Sequence, residues 1–269
     1  MRIEKPLADA AARHLLNPAR IKRATDALDL SLPGIEYGPL SRPIASREIA
    51  PRVSYVDYAD TATLRVKCAP NPRINVDDIV DVDVVTDGRP IDEFFEPKSQ
   101  GFIIASHVAE HVPDLIGWLR TNEALLMPGG CLSIIHPDRR FTFDATRPVT
   151  LYADLVAAFL ERRTRPTLTQ IAHQVLETRD IKPSDIWSGG VDPAEAPRKT
   201  DDKVGFARLE RIASQDIYHD AHCWVFSDEE YVEMLNRILP LHVPRLKVAE
   251  FLPTRPGSLE FHVILRATY

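Results

Sequence analysis

Between residue 34 and about residue 137, short apolar runs alternate with stretches of helical periodicity, the pattern that repeated βα units and a parallel sheet impose on a chain. GIEYG, beginning at Gly34, reads as a first strand, and VSYVDYAD, 53–60, as a second that ends in acid. DIVDVDVV, 78–85, is β-branched with intervening aspartates and predicts a third strand. GFIIAS, 101–106, is a continuous apolar run of the kind buried on both faces and predicts a fourth. PDLIGWLRTNEALLMPGG carries the signals of both helix ends. Pro113 and Asp114 open it, Leu115, Trp118, Leu119 and Leu125 share an apolar face, and Pro128, Gly129 and Gly130 stop it. CLSIIHP then supplies a fifth strand.

After Asp138 the rhythm breaks. Residues 139–222 contain two predicted helices, LYADLVAAFLERR and LTQIAHQVLETRD, and a polar stretch with Gly189, Gly190 and three prolines that predicts a mobile loop or lid. The rhythm returns with SDEEYVEMLNRIL, where Ser227 is an N-cap and Glu230, three residues on, completes a capping box. LKVAEFLP and LEFHVILRATY, separated by the turn-rich TRPGS, predict a closing strand pair, with Trp224 and Phe226 in the core.

Composition narrows the function more than the fold. A chain of 269 residues with 44% apolar and 27% charged residues can bury a full α/β core as one elaborated domain. The formal charge of −6 argues against a protein that coats nucleic acid or an anionic membrane, so neither is an expected partner, although 161–165 (ERRTR) could form a local basic rim. Cys68, Cys131 and Cys223 are widely spaced and form no CxxC pair, which suits a reducing cytoplasm. The first 23 residues lack the apolar core of a leader, and no run approaches the ~20 apolar residues of a membrane span. The expected location is the cytoplasm; the sequence is silent on oligomeric state.

Candidate chemistry gathers at the predicted strand ends. Gly38, after the first strand, exposes backbone N–H groups where a ligand can approach closely. Asp57 lies nineteen residues further on, at the end of the second strand, where a carboxylate can accept both hydroxyls of a ribose. The competing reading has Asp57 cap the helix that starts near Asp60. Asp83 is a candidate for an adenine amino group, with Asp77, Asp78 and Asp81 as competitors. At the end of the fifth strand, His136 or Asp138 could orient or deprotonate an acceptor, and Arg139 or Arg140 could hold an anionic group on it. Where the insertion returns, His219 or His222 could contact substrate or act as a general base. His219 and His222 with Asp220 invite a metal reading, but no third ligand is placed, and no metal is expected.

SHVAEHVPD, followed by LLMPGGCLSIIHPD, resembles class I S-adenosylmethionine-dependent methyltransferases, in which strand four ends in a small polar residue, an EH pair opens the next turn and a PGG turn precedes strand five. With EYGPL and the Asp57 strand end, the resemblance covers residues 34–138 in order and the closing helix and strands, 227–269. It implies an α/β fold: a Rossmann-like, doubly wound, mostly parallel seven-stranded sheet with an antiparallel last strand and a helical or loop insertion after strand five. It divides the chain into an N-terminal helical extension (1–33), an S-adenosylmethionine-binding core (34–138), an insertion or lid that sets substrate choice (139–222) and a C-terminal helix and strand pair (223–269). By the same resemblance Glu36, Gly38, Pro39 and Leu40 match the first cofactor motif, Asp57 the ribose ligand, and Asp83 with Val84 the adenine site. Ser106 and His107 match the wall beside the methionine part of the cofactor, and His111 contacts the cofactor side or simply starts a helix.

The family's usual E-x-G-x-G-x-G is broken here, with Leu40 and Arg42 in place of the second and third glycines, which predicts a tighter or differently routed loop. The expected function is methyl transfer from S-adenosyl-L-methionine to a small-molecule acceptor by O- or N-methylation, a saccharide or secondary metabolite among the candidates. The alternative is a methyltransferase-like scaffold or regulatory domain without catalysis. A nicotinamide-dependent oxidoreductase would require GxGxxG after the first strand, which is absent.

Overall fold

The apolar runs become strands β1 (Gly34–Tyr37), β2 (Val53–Asp57), β3 (Val84–Val85), β4 (Gln100–Ser106), β5 (Leu126–Pro137), β6 (Leu246–Leu252) and β7 (Glu260–Ala267) in a computed structural model that describes residues 17–215 and 218–269. They form one seven-stranded sheet in the order β3-β2-β1-β4-β5-β7-β6. The first five run parallel, and β7 lies antiparallel between β5 and β6. The helices are α1 (Pro18–Thr25), α2 (Thr61–Cys68), α3 (Leu115–Leu125), α4 (Tyr152–Glu161), α5 (Leu168–Glu177), α6 (Pro183–Trp187), α7 (Asp202–Gln215) and α8 (Asp228–His242). The part of the expected N-terminal extension before Asn17, and the reading that no leader is present, lie outside the described residues. No helix among the described residues is long and apolar enough to cross a membrane.

The continuous apolar run of β4 is buried on both faces, and its side chains divide between two layers. Ile103 joins Ile35, Ile134 and the apolar sides of α3 and α8, while Phe102 and Ile104 join Tyr55, Ile135 and Ala24 of α1. Each such fully buried side chain is worth roughly 1.5–3 kcal/mol in transfer from water. Gly34 is needed where it stands, because a Cβ there would lie 2.2 Å from the Phe102 ring. Helix ends follow their caps: Asp114 accepts Gly117 N–H, and Ser227 and Glu230 form the reciprocal capping box of α8. Trp224 and Phe226 are buried, as expected.

Three elements differ from expectation. The third strand contracts to Val84–Val85, because Val76–Asp78 closes a 3-10 turn and the aspartates after it leave little apolar side to pair. Helix α3 ends at Leu125 and β5 begins at once, so Pro128, Gly129 and Gly130 lie inside a strand; the register of β5 on β4 shifts between Gln100 and Phe102. The stretch with Gly189 and Gly190 opens with the short α6, and a further helix, α7, follows it. Leu209 and Ile212 of α7 pack on Ile171 and Val175 of α5, and Gly205 makes room for Leu176, whose Cδ2 lies 2.6 Å from where a Cβ would sit.

Candidate cofactor and active site

The parallel register aligns the carboxyl ends of the central strands, with Tyr37 opposite Ala105, Asp57 opposite Val85 and Ser106 opposite Ile135. The loops leaving those ends therefore share one edge of the sheet. In the first loop, Gly38 turns the chain at φ +55°, and a Cβ there would meet nothing nearer than Val108 Cγ2 at 4.0 Å. Its backbone conformation favours glycine, and the space in front of it is left open. Leu40 adopts the same left-handed conformation at φ 46°. Here a leucine bears the strain of a conformation that favours glycine. Pro39 between them is buried.

Glu36 fixes the far end of that loop. Its carboxylate accepts the N–H groups of Ile44 at 2.7 Å and Ala45 at 2.8 Å. Burial pushes its pKa up to about 7, against the pull of those two donors. Glu36 thus shapes the loop from behind.

Asp57 is 9% exposed and accepts Tyr58 N–H at 2.7 Å. Burial raises its pKa above the ordinary carboxylate value. Asp60, not Asp57, caps α2 by accepting Thr63 N–H. Asp57 is therefore a buried carboxylate with free acceptor capacity at the strand end, whereas Asp83 is committed. Asp83 precedes β3, and Arg47 donates to both of its oxygens at 2.8 Å while Tyr55 N–H donates at 2.7 Å. That set ties the loop after β1 to β2 and leaves Asp83 unsuited to an adenine amino group. Val84, in β3, is half-buried against the core.

The candidates at the end of β5 are structural. His136 is 0% exposed, ringed by Phe226, Tyr231 and Phe261, and its Nδ1 lies 2.9 Å from the Pro137 carbonyl. Burial lowers its pKa to about 4, so it is a neutral core residue walled off from any acceptor. Asp138, also 0% exposed, accepts from Arg140 and from the Thr254 hydroxyl and caps the turn Arg139–Phe141. Arg140 also pairs with Asp228, and Arg139 forks onto Glu230. Both arginines are spent on the acidic first turn of α8 and are not free to hold an anion.

Beyond β4 the picture is richer than the sequence suggested. Ser106 Oγ accepts from Arg20 of α1 at 2.8 Å, and Arg20 forks onto Glu260 at the start of β7. His107, at φ 53°, places Nε2 2.8 Å from Glu260 Oε2. Burial opposes a charge on that imidazole, but Glu110 and Glu260 outweigh it and raise the pKa to about 9. Burial likewise opposes ionisation of Glu260, yet His107, His262 and Arg20 hold its pKa well below the usual range. Neither Arg20 nor Glu260 carries a motif that would have marked it in the sequence.

Glu110 and His111 occupy the 3-10 turn Ala109–His111, and His222 arrives from the end of the insertion. The rings of His111 and His222 meet edge to face with centroids 4.7 Å apart. Asp144, 1% exposed and missed in the sequence, lies 2.6 Å from His222 Nδ1 and is also paired with Arg147. Asp220 lies 3.0 Å from His111 Nδ1. His219 points elsewhere, to Arg208 at 3.0 Å, so His219 and His222 do not act together. Two surface clefts form in the insertion, one beside Arg211 and His219 and one beside Arg147, Gln170 and Trp224; neither includes Gly38 or Asp57.

Sheet order and the reversed β7 match the Rossmann-like methyltransferase fold. No protein-family model and no curated protein sequence matches the chain. Among solved structures, a Rhodobacter sphaeroides protein named for Zn-dependent alcohol dehydrogenases matches with a TM-score of 0.50 at 10% identity, over 99% of this chain and 100% of its own. An S-adenosylmethionine-dependent methyltransferase from Mesorhizobium loti matches at 0.44 and 14% identity, over 96% and 99%. The CurJ carbon methyltransferase matches at 0.43 and 14% identity over 97% of this chain, which spans 58% of that protein's length.

Proposed function

We propose that the chain binds S-adenosyl-L-methionine at the Gly38 to Asp57 edge and transfers its methyl group to a small-molecule acceptor oxygen or nitrogen in the cytoplasm, a saccharide or secondary metabolite among the candidates. The observation that carries this reading is Asp57. Burial costs this carboxylate more than Tyr58 N–H and the charge of Lys67 return, and it stands at the strand end where a nucleoside's ribose hydroxyls would donate to it. Gly38 leaves room beside it, which favours a binding loop over a scaffold that has lost its ligand.

The cofactor's sulfonium would supply an activated methyl group, so the chain's own part is to bind, align and keep water out. Asp57 anchors, the Gly38 loop admits close approach, and His107 with Glu260 braces the floor below. His111 and His222 are the imidazoles facing the acceptor side, each held from behind by a carboxylate. The test is titration of the full chain with S-adenosylhomocysteine. Saturable binding that weakens about ten- to a hundredfold in Asp57→Asn is expected for the loss of a charge-assisted hydrogen bond. No binding by the unaltered chain up to millimolar ligand would overturn the reading.

A further inference from the structure

We propose that Glu110, His111 and His222 form a binding site for a divalent first-row transition-metal ion. The three residues each offer one ligand atom, and these atoms lie within 4.8 Å of one another. Two imidazoles and a carboxylate are a donor set suited to zinc, iron or manganese rather than to calcium or magnesium, which prefer oxygen ligands.

The orientation of both rings supports a ligand role. His111 Nδ1 is taken by Asp220 at 3.0 Å and His222 Nδ1 by Asp144 at 2.6 Å. A carboxylate on Nδ1 of each ring favours the proton there and leaves the Nε2 lone pair available, the arrangement that orients metal-bound histidines. His111 Nε2 already lies 3.9 Å from Glu110 Oε1.

Glu110 supplies the independent observation. It is 0% exposed, and neither of its oxygens has a hydrogen-bond partner among the described residues. The nearest competing cation, His107, stands 3.5 Å away and makes its shorter contact, 2.8 Å, with Glu260. His107 offsets part of the cost of burying that charge, and both oxygens keep lone pairs that a metal ion could take. Ligand atoms around one ion at ~2.1 Å stand about 3–3.5 Å apart, so closing the cluster asks for movements of about an ångström.

Three protein ligands leave coordination positions open, the mark of a site that binds something else rather than one that only staples the fold. The turn that carries Glu110 follows directly from Val108, which faces Gly38. An oxygen-bearing acceptor at an open position would have its hydroxyl made more acidic; this last step rests on the methyltransferase reading, whereas the metal site does not.

The experiment strips the full chain with a chelator, adds Zn2+ or Mn2+ and measures bound metal, heat of binding and melting temperature, with S-adenosylhomocysteine titrated separately on the same preparation. About one equivalent per chain is expected, lost in His111→Ala and in His222→Ala, and weakened about ten- to a hundredfold in Asp144→Asn. Circular dichroism checks that each variant is folded, and His111, which is partly exposed, provides the variant least prone to unfold. No uptake by the unaltered chain, or uptake unchanged in both histidine variants, overturns the site. Homocysteine-adenosyl ligand binding without metal uptake overturns the metal alone; metal uptake without ligand binding supports the site and overturns the methyltransferase reading.

Discussion

Arg20 forks onto Glu260, with Nε 2.6 Å from Oε1 and Nη2 3.1 Å from Oε2, and both side chains are almost wholly buried. Removing Arg20 leaves Glu260 to His107 and His262 alone, at a cost approaching the ~3–5 kcal/mol of a broken buried pair. Arg20→Ala should therefore shift the urea unfolding midpoint strongly, far more than Lys22→Ala, whose pair with Asp26 lies in solvent. Equal effects of the two substitutions would contradict this.

Gly38 and Leu40 share a left-handed backbone, but only one of them faces the open space. Gly38→Ala forces a Cβ into an unfavourable conformation at about 1–2 kcal/mol and should weaken S-adenosylhomocysteine binding about tenfold or more. Leu40→Gly relieves strain and should leave binding intact. Calorimetry on the pair checks both.

Asp57 has no ion pair to lose and sits against burial. Asn at this position keeps an acceptor for Tyr58 N–H and sheds the buried charge, so Asp57→Asn should melt no lower than the unaltered chain even as ligand binding falls. A melting temperature well below that of the unaltered chain would make Asp57 a structural residue.

The pH dependence of stability should carry the signature of Glu36. Its folded pKa of about 7 exceeds its ordinary value of 4.5, so over that window the folded chain holds a proton that the unfolded chain releases. The group's contribution then falls as pH rises from about 4.5 to about 7. His136, lowered to about 4 from 6.5, works the other way: stability falls as pH drops through that interval. Glu36→Gln should remove only the first trend, read as the difference between the two chains' melting temperatures across the range.

His136 also offers a clean check on the active site. Its Nε2 is buried without a partner among aromatic rings, so His136→Phe should change stability by less than about 1.5 kcal/mol and leave ligand binding unaltered. Complete loss of binding would return His136 to the site.

Much of the fold was legible because its signals are local. Alternation, continuous apolar runs, and the caps at Asp114 and Ser227 depend on residues within a few positions of one another. The site divides along the same line. Gly38 and Asp57 are legible from their places at strand ends, whereas Arg47 on Asp83, Thr254 on Asp138 and Glu230 on Arg139 lie 36, 116 and 91 residues from the side chains they contact and leave no local signal. Asp144 and Arg20 announce nothing until the insertion and β7 are in place. Helix α7 was a different kind of miss: Gly205, Leu209 and Ile212 already repeat at helical spacing, and the glycines and prolines before them drew the reading toward a loop.

The position of β7 between β5 and β6 has a consequence for the order in which the molecule can be assembled. Strand β6 leaves the ribosome first but finds no place on the sheet, because its neighbour there is not yet made. Until Glu260–Ala267 emerges, the apolar edge of β5 stays unpaired and Arg20 and His107 lack their shared anion. The nascent chain thus spends its longest exposed interval with the candidate site unfinished, which makes β7 the step at which misassembly or a chaperone's grip would matter most.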